Sequence, residues 1–334
     1  MSGQIAAISY YLPQAIYSNA DFLRDFPETA GTSLEKVGVK ERHIIPPGQT
    51  ATDLAALAAE RLFEEHGIDR NSIDFILLAF YGPDYYLPSS SSVLHGKLGL
   101  KKSCGALDFN QGCSAYPYAL QVAAGLLATS DIENVLVVTA SSLSKTFHPK
   151  DKSSRYVFGD GAAATLVRKT QEDRLGPFIN GTDGTGFEKI IIRDGGERTP
   201  LRPDSHKDSK DEFGNVTSAA NFDMDGMGVF LFSVRTVPVL VEDLLRKAAL
   251  TKDDIDLFVF HQPNQFLNET IRKKAGIPEE KFVHCIDRWG NTVQSTIPIA
   301  LYESMHNGRL RPGMKVLLAG FGVGLSWSGC IARF

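Results

Sequence analysis

"SIDFILLAF", residues 72–80, is an apolar run opened by an Ile-Asp pair, and it returns as "DIDLFVFHQ", residues 254–262. Ile73 and Asp74 match Ile255 and Asp256 at an offset of 182. Each copy follows a helical pattern, "TDLAALAAERLFEEHGI" in the first case and "TVPVLVEDLLRKAAL" in the second. Further on, "PYAL" matches "PIAL" (Pro117 with Pro298, Leu120 with Leu301) and "VLVV" (135–138) matches "VLLA" (316–319), both at 181. "FGDGAAATLV" then matches "FGVGLSWSGC", Phe158 with Phe321, at 163, so the missing 18 residues form an extra loop of the first half around "SLSKTFHPKDKSSRYV". Chance matches of small apolar residues could give one such pair; four in the same order are harder to dismiss. A repeat seen only twice at this spacing indicates a duplicated domain whose halves pack about a pseudo-twofold axis, rather than a solenoid. The halves read as residues 1–169 and 170–334.

Short β runs, "FILLAF" (75–80), "NVLVVTA" (134–140), "LFVFH" (257–261) and "KVLLAG" (315–320), alternate with helical stretches, which is the pattern of an α/β protein. Each half is interrupted by a polar, glycine-rich excursion, the larger at 181–228, a natural place for lids and substrate contacts. With 43% hydrophobic and 22% charged residues and a net charge of -4, the chain reads as an ordinary soluble protein and not as a nucleic-acid scaffold or a disordered one. "MSGQIAAISYYLPQAIY" lacks a positive leader and a long apolar segment, and no later stretch reaches ~18 uncharged apolar residues, so neither secretion nor a membrane span is expected and the cytoplasm is the expected location. Cys104, Cys113, Cys285 and Cys330 are scattered without C-x-x-C spacing, against a disulfide frame or a zinc site.

Chemistry concentrates at matching corners of the two halves. In "DFNQGCSAYPYAL" (108–120) a polar turn enters a nearly all-apolar helix, and Cys113 lies four residues before Pro117, a residue tolerated in a helix's first turn. The free amides and dipole there are expected to lower the thiol pKa below its ordinary ~8.5. Taken alone, Cys113 reads more readily as a small core residue than as a nucleophile. The second half changes that reading. Asn291, in "DRWGNTVQSTIPIAL", occupies the corner matching that of Cys113, and His261, in "FVFHQPN", closes the strand matching "FILLAF". A pseudo-twofold brings the three together as a nucleophile and two acid/base or oxyanion-donor groups. Asp160 reads as the organiser of a glycine turn, and the other cysteines as small apolar fillers.

These residues resemble the β-ketoacyl-acyl-carrier-protein synthase III family of the thiolase fold, through "GVKERHI" (38–44), the Cys113 segment, "FGDGA", "HQPN", "RWGNT" and the closing "GFGVGLSWSG". The resemblance implies a homodimer of five-layered α-β-α-β-α subunits. It implies acylation of the cysteine by an acyl-CoA or acyl-carrier-protein thioester, then attack by the enolate formed when malonyl-carrier protein loses CO2. Cys113 would be the nucleophile, His261 and Asn291 would hydrogen-bond the developing enolate, and the backbone amides of Cys113 and Val323 would form the hole for the acyl carbonyl. Asn264 matches the contact to the pantetheine arm, and Leu87 the position that bounds the partner's acyl pocket. No permanently bound cofactor is implied, coenzyme A or phosphopantetheine serving as the carrier.

The chain departs from the housekeeping pattern around the carrier. Thr32 and Lys36 stand where the family has an adenine-gripping tryptophan and arginine, Lys152 stands for a further arginine, Leu231 for a basic residue, and Phe266 for the arginine associated with carrier docking. Lysine lacks the planar fork of arginine, so phosphate recognition should differ. The reading is therefore retained condensing chemistry with a changed acyl donor, in fatty-acid synthesis or a specialised lipid or polyketide pathway. Acyl transfer to a hydroxyl or amine without decarboxylation is the alternative; it needs His261 as a general base and gives Asn291 no enolate to stabilise. A non-catalytic partner subunit has no need of Cys113, and a plain binding module would leave the three matched polar residues a coincidence.

Overall fold

The computed structural model describes residues 2–30 and 34–334. Two sheets carry the fold. The first uses β1 (Ser2–Tyr11), β2 (Phe75–Tyr81), β3 (Gly105–Phe109), β4 (Asn134–Ser141) and β5 (Gly161–Thr170), in the order β1-β5-β4-β2-β3. The second uses β6 (Leu175–Thr182), β7 (Leu257–Phe260), β8 (Lys315–Gly322) and β9 (Ser326–Arg333), in the order β7-β8-β9-β6. In both, a parallel pair (β2 with β4, β7 with β8) is extended on the β4 and β8 side by antiparallel strands, and in the first sheet β3 adds a further parallel strand beside β2. The place of β3 is taken in the second sheet by a single parallel bridge, Phe258 with Phe282. The strand order thus repeats as the sequence does.

Both faces of the central strands β2, β4, β7 and β8 are buried, which explains why these strands read as continuous apolar runs rather than alternating ones. Ile76 and Leu78 of β2 and Leu136 and Val138 of β4 face outward onto α1 (Ala51–His66) and α2 (Ser90–Leu98). Leu77 and Val137 face inward. In the second sheet Phe258, Phe260, Leu317 and Ala319 pack outward onto α4 (Gly226–Ala248) and α5 (Gln265–Lys274), while Val259 and Leu318 face inward. The inward faces enclose α3 (Ala115–Thr129) and α6 (Thr296–His306), which share one core through Leu120, Ala123, Ile299 and Leu301. Helices, sheet, helices, sheet, helices make the five layers of the thiolase fold. The first turns of α3 and α6 consequently start in the middle of the molecule.

Helix α3 buries Ala115, Tyr116, Ala119, Leu120, Ala123 and Leu127 between the sheets, while Val122 is exposed. Helices α1 and α4, with one face in solvent, close on left-handed residues, Gly67 at φ 61° and Ala249 at φ 53°. The excursion after β6 contributes Ile190–Ile192, paired antiparallel with Phe222–Met224, and these strands lie over the corner that holds Cys113.

Candidate active site

Past the end of β3, a single 3-10 turn, Gly112–Ser114, leads into α3. Gly112 sits at φ +53°, and a Cβ there would lie 2.8 Å from the Val323 side chain. The Ser114 hydroxyl is 2.7 Å from that of Ser326, which ties this turn to β9 of the other sheet. Opposite the thiol, a Cβ on Gly322 would come within 2.9 Å of Cys113 Cβ and Sγ, so only glycine leaves the sulfur room. Cys113 is unoxidised and buried. Its thiol is pushed up to about 12 by burial, against the opposing hydrogen bonds of the Val323 and Cys113 amides. The expected lowering is thus overturned. Closure by Gly322 and Val323 removes the water that would solvate a thiolate, and this outweighs the amides at the helix start.

The corresponding corner of the second half is built around Gly290, at φ +65°, where a Cβ would lie 2.9 Å from both Arg42 Cβ and the Val157 carbonyl. The next residue, Asn291, donates its amide to Val157 O at 2.8 Å and accepts the Gly159 amide at 3.0 Å, so "FGDG" and "RWGNT" bind edge to edge. The Asn291 side-chain oxygen accepts the Val293 amide at 2.9 Å. Val293 holds φ 55°, a conformation costly for a β-branched residue, at the start of the turn Val293–Ser295 that enters α6. This turn packs on the Gly112–Ser114 turn, and Cys113 and Val293 belong to one apolar cluster.

His261, one residue past β7, is anchored by its own N–H to Ala319 O at 2.8 Å and by its carbonyl, which accepts the Asn268 side-chain amide at 3.1 Å. Its ring stands edge-on to Phe321 at 5.6 Å, and Nδ1 lies 2.7 Å from Oγ1 of Thr296, the first residue of α6. Burial lowers its pKa to about 3, so the imidazole is neutral at ordinary pH. Cys113 is thus linked to Asn291 through Val293, and His261 joins the same turn through Thr296.

A cavity of about 610 Å³ opens from Cys113, lined by Leu143, Phe158, Ile190, Ile192, Phe222 and Val293 and reaching Asp194 and His206 of the excursion. This volume is in the range of small-ligand sites. The other expected binding residues lie elsewhere. Asn264 caps α5, its Oδ1 accepting Leu267 N at 2.8 Å, and the half-exposed Phe266 stacks on Phe230 at 5.8 Å beside the exposed Leu231. Lys152 borders a separate hollow of about 220 Å³ with Leu34, Val37 and Tyr156, and Lys36 belongs to the short helix Leu34–Val37 beside it. Thr32 falls outside the described residues. Leu87 is 87% exposed, next to the equally bare Tyr86, whose hydroxyl donates to Gly195 O at 2.7 Å.

Three residues belong to the site's frame in ways the sequence did not show. Asp160 is buried and accepts hydrogen bonds from Ile45 N (2.8 Å), Ser144 N (3.1 Å) and the Ser144 hydroxyl, and burial raises it to about 6. Arg42 of "GVKERHI" is fully buried and donates to Tyr17 O (3.1 Å), Asn19 Oδ1 (2.9 Å) and Tyr156 O, under the turn that carries Asn291. Thr296 is the third. Among the described residues no His, Cys, Asp and Glu group is arranged to hold a metal ion, and no helix is long and apolar enough to cross a membrane.

Comparison with known proteins gives one direction. Residues 107–184 match the family model described as 3-oxoacyl-[acyl-carrier-protein] synthase III, and residues 245–334 match its C-terminal model. The β-ketoacyl-[acyl-carrier-protein] synthase III of Rhodopirellula baltica is 33% identical over 99% of this chain and 98% of its own length. A crystal structure of a 3-oxoacyl-(acyl-carrier-protein) synthase III superposes with a TM-score of 0.98 at 41% identity, covering both chains fully. The 3-oxoacyl-(acyl-carrier protein) synthase from Burkholderia xenovorans superposes at 0.91 with 32% identity, over 100% of this chain and 94% of that one.

Proposed function

This chain belongs to the 3-oxoacyl-[acyl-carrier-protein] synthase III family, and we propose that it condenses an acyl group, carried on Cys113, with a malonyl thioester by decarboxylation. The observation that carries the proposal is the meeting of two turns from different sheets, one bearing a shielded cysteine and the other an asparagine amide turned outward by Val293 N–H.

Loading begins with attack of Cys113 Sγ on the acyl thioester; the C–S bond to the carrier breaks, and the thiol proton ends on the departing sulfur. Because one thiol replaces another, a high resting pKa is no thermodynamic obstacle. The amides of Cys113 and Val323 are suited to the carbonyl oxygen as it becomes an oxyanion. In the second step the bond to the malonyl carboxylate breaks and CO2 leaves. The electron pair enters the thioester as an enolate, whose carbon attacks the acyl-cysteine carbonyl and releases the Cys113 thiolate. His261 and Asn291 serve as neutral donors to the enolate oxygen, each worth roughly 3 kcal/mol where water is excluded. A histidine that stays neutral down to about pH 3 is a weak base, which argues against simple acyl transfer to a hydroxyl or amine.

The cavity beyond Cys113 suits the acyl chain, and Asn264, Lys36, Lys152 and Phe266 are read as the residues that meet the carrier. With lysines in place of arginines, the donor is read as an acyl-CoA or acyl-carrier protein other than the housekeeping acetyl donor. We further read residues 1–169 and 170–334 as the two halves, a cytoplasmic homodimer as the working form, and Leu87 as the residue each copy lends to the other's acyl pocket. The deciding experiment incubates the protein with a panel of acyl-CoA and acyl-carrier thioesters and follows Cys113 by intact-mass spectrometry, with and without malonyl-carrier protein. Expected are acylation lost in Cys113→Ala and a condensed product with CO2. Acylation that persists in that variant, or transfer to an amine or alcohol with no condensed product, overturns the proposal.

A further inference from the structure

Thr296 stands at the entry of α6 with 3% exposure, and its hydroxyl faces three groups at once. Oγ1 accepts the Gln262 amide at 3.2 Å, lies 2.9 Å from the Val293 carbonyl and 2.7 Å from His261 Nδ1. The hydroxyl has one proton and two acceptors that can take it. The Val293 carbonyl already accepts the backbone N–H of Thr296, so it is not orphaned if the hydroxyl turns to the imidazole. The ring's other polar neighbour is the Val293 carbonyl, an acceptor whose hydrogen bond opposes the lowering of the His261 pKa.

A neutral imidazole carries one proton, and whichever nitrogen accepts a hydrogen bond leaves that proton on the other. We infer that Thr296 is a positioning residue: its hydroxyl donates to Nδ1 and thereby holds the His261 proton on Nε2, ready to be donated to an oxyanion. The inference rests on the reading of His261 as an enolate donor. The reverse arrangement, with Nδ1–H donating to Thr296 and the hydroxyl donating to Val293 O, would present a lone pair to the enolate. The shorter of the two hydroxyl contacts, 2.7 against 2.9 Å, is the one to the ring. The same hydroxyl, by accepting Gln262 N–H, also steadies the chain just past His261.

Nitrogen-15 spectra of histidine-labelled protein test this, with His261→Gln identifying the His261 signals. The wild type and Thr296→Ser are expected to carry the proton on Nε2. In Thr296→Val, which keeps the shape and loses the donor, that preference should disappear. CO2 release from malonyl-carrier protein should then fall at least tenfold, with acylation of Cys113 changing no more than twofold. A wild-type spectrum with the proton on Nδ1 overturns the inference, as does a Val variant that keeps both the Nε2 proton and wild-type CO2 release. Failure of the condensing role itself looks different: no CO2 release from the wild type although Nε2 carries the proton.

Discussion

The side-chain oxygen of Asn291 accepts the backbone N–H of Val293 at 2.9 Å, and that contact decides which end of the amide is free. With Oδ1 engaged, the NH2 end is the one left to serve an anion. The left-handed backbone at Val293 is what lets its N–H turn back toward Asn291.

Replacement of Asn291 by Ala should lower CO2 release from malonyl-carrier protein about 10²- to 10³-fold, the cost of one lost oxyanion donor. Loading of Cys113, followed by intact mass, should stay near wild type. Equal losses in both steps would assign Asn291 to folding of the corner instead.

Substitution of Gly322 by Ala sets a methyl group 2.9 Å from Cys113 Sγ. Loading should drop on the order of 10²-fold, as expected when a reacting atom is displaced by about 1 Å. Wild-type acylation kinetics in Gly322→Ala would show that the closing turn yields easily.

Alkylation of resting Cys113 should accelerate steadily with pH, since the thiol is held up to about 12. Between pH 7 and 9 the rate constant should climb about tenfold per unit, because the thiolate fraction does so. Measured with iodoacetamide against a Cys113→Ser blank, a plateau below pH 8 would contradict the burial of the thiol.

His261 links stability to acid. Its folded pKa of about 3 lies below the ordinary 6.5, so as pH falls through 6.5 the unfolded chain takes up a proton that the native state refuses. Stability is therefore complete above pH 6.5 and falls toward pH 3, by up to about 1.4 kcal/mol per pH unit. His261→Gln should show a shallower decline of denaturant midpoint between pH 6.5 and 4; identical slopes would mean the histidine is solvated.

Arg42→Met should cost roughly 2–4 kcal/mol, seen as a lower denaturation midpoint, because the part-buried carbonyls of Tyr17 and Tyr156 lose their donor. An unchanged midpoint would show that water replaces the guanidinium.

The repeat was legible because both faces of each central strand are buried, which turns β2, β4, β7 and β8 into plain apolar runs that can be laid over one another. The corners were legible for a related reason: Cys113 and Asn291 are polar interruptions before helices that are otherwise apolar. What the sequence concealed depends on contacts between distant segments. The rise of the Cys113 thiol comes from burial, with Gly322 of the other sheet packed against its sulfur. Arg42 sits among charged neighbours in "KERH", where nothing signals that it alone turns inward. The service of Thr296 to His261 exists only because two loops 35 residues apart arrive in register.

The middle layer gives the site a mechanical character. Cys113 rides at the head of α3 and Asn291 just ahead of α6, and each helix is clamped between the same two sheets. The gap between nucleophile and donors is therefore gauged by core side chains such as Ala119, Ala123 and Ala300, far from any substrate, as the jaws of a calliper are set by its beam. Enlarging one of these alanines would detune the chemistry without altering a single residue that touches the acyl group.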